Sequence, residues 1–172
     1  PIDSYSARGM WIRGGTRAQV SIGQLNEPNL AEPGDVTRTT ASIEHVGTVF
    51  GRASAITIAY GQNNELFDTE NAFLVEATLG LWRRGTGYMR AELADKHILG
   101  AGGQHPIGQQ HPHVISSVGA LTLGYSHNLL QAGSNTLDIG ADVSGFSTPS
   151  ELLDSYGRPW SIHLYGRWGL VK

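Results

Sequence analysis

The amino-acid sequence predicts an all-β protein, folded as one antiparallel up-and-down meander over residues 1–172. Three observations predict this fold. The chain has 23 glycines and only 16% charged residues, a balance typical of strands joined by turns rather than of helices. Apolar and polar residues alternate with a period of two over nine segments. The connections between these segments are alternately short and long, which favours consecutive hairpins in one sheet.

Each of the nine segments is a predicted strand because it alternates in polarity and ends at a turn-forming sequence. The segments span 3–13, 16–25, 36–46, 52–61, 72–83, 86–95, 114–127, 135–146 and 159–170. Most of them exceed the ~5–6 residues of an average strand and approach the ~9–11 residues that cross a bilayer at a tilt. Their length therefore favours strands that span a membrane.

The connections distinguish the two ends of the meander. The short ones are "RGGT", "GTVFG", "RRGTG" and "NLLQAGSN", and the long ones are "LNEPNLAEPGD", "QNNELFDTEN", "DKHILGAGGQHPIGQQHPH" and "STPSELLDSYGR". A soluble meander has no reason to alternate in this way, whereas an outer-membrane barrel has tight turns at one end and extended loops at the other. The alternation therefore predicts a transmembrane β-barrel.

Aromatic residues occupy the apolar positions near both ends of the predicted strands. Those near the long loops are Tyr5, Tyr60, Phe73 and Trp160, and those near the short turns are Trp11, Tyr125 and Trp168. Two aromatic belts around an aliphatic band are typical of a surface that faces lipid. The alternative interpretation is a soluble barrel or sandwich, in which the apolar positions are buried against one another.

The charged residues fall at the alternate positions, which would face the barrel lumen. The predicted lumen residues are Arg38, Glu44, Glu76, Arg90, Glu92, Asp138, Asp142, His163 and Arg167. Mixed charges in a confined space predict cross-strand ion pairs, because an unpaired charge there is costly. These pairs would either stiffen the barrel or select the solute that passes through it.

The strand count predicts that this chain is the C-terminal part of a larger barrel. Single-chain bacterial barrels have an even number of strands with both termini on the short-turn side. About nine strands are visible here, and the first would begin on the long-loop side. At least one earlier strand is therefore expected.

Composition excludes several classes of function. The net charge of -3 and the lack of a Lys/Arg cluster argue against nucleic-acid binding. The absence of cysteine excludes a zinc–thiolate site and a cysteine nucleophile. No apolar run approaches the roughly 20 residues that a membrane-spanning helix needs.

One predicted loop concentrates histidines, which ligate zinc or copper when neutral. They are His97, His105, His111 and His113. The spacing matches no metal motif, so a polar external loop is the alternative. Calcium binding by Glu27, Glu32 and Asp35 lacks the spacing of an EF-hand.

An enzyme is not predicted. A hydrolase at the barrel rim would use Ser116 or Ser117 with Asp95 and the loop histidines, yet no "GxSxG" sequence supports a serine nucleophile. No cofactor is expected beyond the zinc or copper considered for the histidine-rich loop.

Several segments carry a family likeness. "IDSYSARGMW", "EPGDVTRTTASIEH", "AITIAYGQNN", "FLVEATL", "YMRAELADKHIL" and "VGALTLGYSHNL" occur in this order, and the most specific piece is "DVTRTTAS" at 35–42. Together they resemble the C-terminal part of an uncharacterised family of bacterial outer-membrane β-barrel-like proteins, over most of the chain. A His-Pro pair before "VGALTLGY" is matched by His105-Pro106 or His111-Pro112. The resemblance implies fold and location rather than an activity. This chain ends in "RWGLVK", without the terminal aromatic residue of many such barrels.

These observations together predict a passive channel or structural barrel in the bacterial outer membrane. Its expected partners are the lipid bilayer, the outer-membrane assembly machinery and a small solute. Two alternatives stay open. The chain would otherwise be a surface protein that captures a metal ion or a partner through its histidine-rich loop, or a soluble ligand-binding β-barrel.

Overall fold

The structure, a computed structural model, describes residues 4–26, 34–65, 68–82, 84–97, 115–150, 153, 157 and 159–170. Its strands are β1 (Tyr5–Arg13), β2 (Thr16–Leu25), β3 (Val36–Val49), β4 (Arg52–Asn64), β5 (Thr69–Trp82), β6 (Gly85–His97), β7 (Ile115–Ala132), β8 (Asn135–Ser147) and β9 (Trp160–Leu170). They form one nine-stranded sheet in chain order, from β1 at one edge to β9 at the other. The predicted all-β antiparallel meander is confirmed.

Two of the short connections are shorter than the sequence pattern predicted. β3 continues to Val49 and β4 begins at Arg52, so that only Phe50 and Gly51 form the turn, with φ values of 52° and 71°. Two consecutive positive φ values characterise the hairpin turn whose twist matches that of the strands. β7 likewise continues to Ala132. The predicted ends were wrong because residues 47–49 and 128–132 do not continue the strict alternation of polarity, whereas their backbones still pair with the neighbouring strand, in the second case through a register shift between Asn128 and Leu130.

The register places side chains on two faces of different chemistry, because directly opposed residues point to the same side of a sheet. We call polar face the side that carries Arg8, Arg17, Arg38, Glu44, Glu70, Glu76, Arg90, Glu92, Asp138, Asp142 and Arg167. The opposite side is the apolar face. Among described strand side chains, Arg13, Arg52 and Asp95 are the charged ones there. Each of these three lies within two residues of a strand end.

The described residues enclose almost no core. Val36 is their one buried hydrophobic side chain, and Leu164 and Trp168 on the apolar face are 82% and 76% exposed. A soluble domain normally buries such a face against a second layer. The structure therefore leaves the apolar face of this sheet uncovered by the described part of the chain.

No helix of the described residues has both the length and the apolar character that membrane crossing requires.

Candidate functional site

The ionic contacts of the polar face are densest on β5–β9. Glu76 on β5 lies directly opposite Arg90 on β6, and Glu92 follows Arg90 by two residues on the same face. The guanidinium of Arg90 donates from Nη1 to Glu76 and from Nε to Glu92. The guanidinium cation of Arg90 thus contacts two carboxylates, so Arg90 itself is not left as an unpaired charge.

A second ionic cluster joins β8 to its neighbours on both sides. Asp138 Oδ2 accepts hydrogen bonds from Nε and Nη2 of Arg167 on β9, at 3.1 and 2.9 Å. Asp138 Oδ1 accepts from the Nδ2 of Asn128 on β7, at 2.8 Å. The carboxylate retains 14% exposure. Its two oxygens are therefore fixed by donors from both adjacent strands.

A third cluster centres on Asp142 of β8. His163 Nδ1 on β9 lies 2.9 Å from Asp142 Oδ1, and the Tyr88 hydroxyl donates to Asp142 Oδ2 at 2.9 Å. Tyr88 belongs to β6, so its side chain crosses β7 to reach β8. It crosses at Gly124, where a Cβ would lie 2.1 Å from the ring. Glycine at this position is what allows the contact.

The polar face of β1–β4 is joined more loosely. Arg38 Nε donates to Asn63 Oδ1 at 2.8 Å, so its partner is an amide rather than an acid. Glu44 Oε2 lies 3.7 Å from Arg17 Nη1. Of the nine predicted lumen residues, the structure brings together Glu76, Arg90 and Glu92, Asp138 with Arg167, and Asp142 with His163. It places Arg38 and Glu44 apart from these three clusters, on the same face.

Sequence reasoning did not select Tyr88, Asn128 and Arg17, which complete these contacts, or Tyr165, whose ring lies between two of the clusters. All four occupy positions of the polar face. The sequence could have indicated the two tyrosines. Each is an aromatic residue at a position that alternation assigns to the polar face, and each neighbouring strand has glycine on that face. Tyr165 lies over Gly140, where a Cβ would be 2.3 Å from its ring.

The apolar face ends in polar contacts at both ends of the sheet. Near the long connections, the Tyr60 hydroxyl donates to Asn71 Oδ1 at 2.7 Å. Near the short turns, Trp168 Nε1 donates to Asn135 Oδ1 at 3.1 Å. Trp82, which the sequence pattern did not assign to a belt, meets Tyr125 edge-to-face with ring centroids 6.0 Å apart. The aromatic side chains at the strand ends thus combine an apolar ring with a polar partner.

The candidate metal sites fall mostly outside the described residues. His97 ends β6, whereas His105, His111 and His113 lie outside the described part of the chain, as do Glu27 and Glu32. Within the described ranges, no group of three or more His, Asp or Glu side chains is arranged to hold a metal ion.

The residues considered for a rim hydrolase make a different contact. Ser117 Oγ donates directly to Asp95 Oδ1 at 2.5 Å, and Asp95 Oδ2 also accepts from the backbone and side-chain nitrogens of Asn71. Ser116 is buried. A serine nucleophile needs a base, normally an imidazole, between itself and the acid. Ser117 is instead one donor in a polar cluster at the end of the apolar face.

The chain matches no protein-family model, no curated protein and no solved structure.

Proposed function

We propose that this chain forms part of a bacterial outer-membrane β-barrel that serves as a passive channel or a structural barrel. The apolar face would contact lipid, and the polar face would line the lumen. One observation carries the proposal. Among the strand side chains that the structure describes, charged ones occupy the polar face along its height, whereas those of the apolar face, Arg13, Arg52 and Asp95, lie near strand ends.

The energetics of burial support this orientation. An Arg or Lys on the lipid face of a barrel costs about 2–4 kcal/mol at the membrane midplane and much less near the interfaces. The distribution of charge on the apolar face follows this dependence on depth. On a face exposed to water, charged side chains would have no reason to be confined to the strand ends. A soluble sheet would also need a second layer to cover side chains such as Leu164, which is 82% exposed.

The ends of the apolar face support the same orientation. Tyr60 and Trp168 place an apolar ring beside a polar partner, Asn71 and Asn135 respectively. Tyr and Trp are enriched at membrane interfaces because one part of the ring prefers hydrocarbon and the polar atom prefers water. The asparagines and Asp95 would then lie at the headgroup level.

The polar face suits a lumen because several of its charged side chains are paired with one another. Arg90, Arg167 and His163 each contact a carboxylate across or along a strand. Such pairs lower the cost of charges in a confined aqueous space. The resemblance to outer-membrane barrel-like proteins supports the location, and with it the lipid bilayer and the assembly machinery as partners.

Partition between buffer and lipid tests the proposal. The chain is refolded in detergent and mixed with liposomes, and β-structure in the lipid fraction is measured by circular dichroism. Two variants at adjacent positions of β7 serve as a matched pair. Leu121→Arg places a charge on the apolar face, opposite Ala91, and should abolish insertion. Ala120→Arg places the same charge on the polar face, opposite Glu92, and should insert as the wild type does.

Equal insertion of the two variants, or a monodisperse wild-type protein in buffer, would contradict the proposal. Conductance measurements in planar bilayers then distinguish the two proposed functions, a passive channel and a structural barrel. Stepwise conductance by the complete barrel that contains this chain identifies a channel, and a stable, inserted complete barrel without conductance identifies a structural role.

A further inference from the structure

Tyr165 occupies the centre of a regular arrangement on the polar face of β8 and β9. Its ring lies over Gly140, the residue directly opposite on β8. The His163–Asp142 pair lies one step along the strands in one direction, and the Arg167–Asp138 pair one step in the other. An aromatic ring against the sheet is thus flanked on both sides by a cross-strand hydrogen-bonded pair.

The arrangement is held in place by several hydrogen bonds. The Tyr88 hydroxyl donates to Asp142 at 2.9 Å, and the Tyr165 ring packs over Gly140. Asp138 is held by both Arg167 and Asn128. A side chain that is already fixed by its neighbours loses little entropy when a ligand binds to it, so this surface is preorganised.

The hydrogen bonds also restrict what the surface can recognise. Each of the two aspartates already accepts from two side chains: Asp138 is paired with the guanidinium of Arg167 and also bonded by Asn128, and Asp142 is hydrogen-bonded by Tyr88 and His163. Polar atoms without partners remain, however. Among the described residues, Arg167 Nη1 is a donor with no hydrogen-bond partner, His163 Nε2 is an acceptor when the ring is neutral and Nδ1 donates to Asp142, and the carboxylate oxygens retain lone pairs. The surface therefore presents hydrogen-bond donors, hydrogen-bond acceptors and an aromatic ring.

We infer that this surface, formed by Tyr165, Tyr88, His163, Arg167, Asp138 and Asp142, is a binding site for a pyranose ring of a neutral sugar. One face of a pyranose consists of C–H groups, which pack on an aromatic ring, and its hydroxyls both donate and accept at the rim. The two flanking pairs of the site lie at opposite edges of the Tyr165 ring, where such hydroxyls would point.

The inference rests on the proposed function in one respect: the polar face must be accessible to solutes, as the lining of a lumen is. The inference adds to the proposed function the class of solute, a neutral sugar. The site would slow and select neutral sugars by transient contact with the wall.

Titration of the refolded chain in detergent micelles with maltose, choline chloride and sodium gluconate tests the inference by calorimetry. Saturable binding is expected for maltose and not for the two ions. Tyr165→Leu should weaken maltose binding about tenfold, because it removes the stacking surface, and Tyr165→Phe should retain most of it. Tyr125→Leu, on the apolar face, is the matched control and should bind maltose as the wild type does.

A second measurement uses the wild-type protein alone, so that it does not depend on the folding of a variant. Nuclear Overhauser effects between labelled tyrosine rings and the C–H protons of maltose are expected for Tyr165. Their absence, preferential binding of either ion, or an equal loss in Tyr125→Leu would overturn the inference.

The two proposals fail in different ways. Protein that inserts into bilayers and conducts without binding or being blocked by maltose overturns the sugar site and leaves the barrel intact. Protein that stays in buffer and binds maltose through Tyr165 overturns the membrane proposal and leaves the sugar site intact.

Discussion

The polar face differs between its two halves, β1–β4 and β6–β9. On β6–β9, long side chains contact charged groups on other strands and lie over glycines. The Tyr88 ring, for example, lies over Gly124, and its hydroxyl donates to Asp142. On β4, the same face carries Ala53, Ala55, Thr57, Ala59 and Gly61, and the neighbouring β3 offers Ser42 and Thr40. Both halves are fully paired: the backbone ladder of β1–β4 has no register shift, and that of β6–β9 has one, between Asn128 and Leu130. The difference shows that pairing alone makes the sheet, whereas the side chains decide which part of it becomes a rigid, chemically selective surface.

The contrast also follows the connectivity of the strands. β3 and β4 are joined by a two-residue turn, which by itself fixes their register. β8 and β9 are separated by the connection 148–159, and side-chain contacts bridge them, among them those of His163, Arg167 and Trp168 with partners on β8. Side-chain contacts thus supply register where the turn does not.

The largest effect on stability is expected from filling a glycine gap. Gly124→Ala would place a Cβ 2.1 Å from the Tyr88 ring, which must then move and lose its hydrogen bond to Asp142. We expect a cost of about 1–3 kcal/mol in the free energy of unfolding, measured by urea titration in micelles. Gly61→Ala on β4 meets nothing within 4 Å and should change this free energy by less than about 0.5 kcal/mol. Similar values for the two variants would remove the distinction between the halves.

An intermediate effect is expected from deleting one acid of an ion pair in each half. Asp138→Ala removes a carboxylate that accepts from both Arg167 and Asn128, and should cost about 1–2 kcal/mol. Glu44→Ala removes one that is 3.7 Å from Arg17 and 42% exposed, and should cost under about 0.5 kcal/mol. Both values come from the same urea titration. A larger loss for Glu44→Ala would mean that the loosely joined half carries the stability.

The smallest effect is expected at the β3–β4 turn. Phe50 has a φ of 52°, a left-handed conformation that suits asparagine better than an aromatic residue, and its side chain is 95% exposed. Phe50→Asn should therefore stabilise the protein by about 0.5–1 kcal/mol. Gly51→Ala, at a φ of 71°, is the opposite control and should destabilise it. Destabilisation by Phe50→Asn would show that this phenyl ring has a contact that outweighs the backbone strain.

Alternation of polarity was sufficient to predict the strands and their order, because side-chain period and backbone pairing are coupled in a sheet. It was also sufficient to assign Glu76, Arg90, Asp138 and Asp142 to one face of the sheet, since each occupies one of the alternate positions that are polar. It was not sufficient to predict their partners. The tyrosines that join them lie at the same phase, but nothing in a single strand shows which glycine a ring will cover.

The sequence by itself determined the all-β meander, the strand number and the separation of charged from apolar positions, because these follow from local period and turn residues. Tertiary structure decided which charges meet. Between β5 and β6 the register shifts between Gly80 and Trp82, so that Glu76 faces Arg90; counted from the turn without this shift, it would face Ala91. A second shift, between Asn128 and Leu130, places Asp138 opposite Asn128. A bulge moves every later pair by one residue, and its position depends on contacts between strands rather than on the pattern within one.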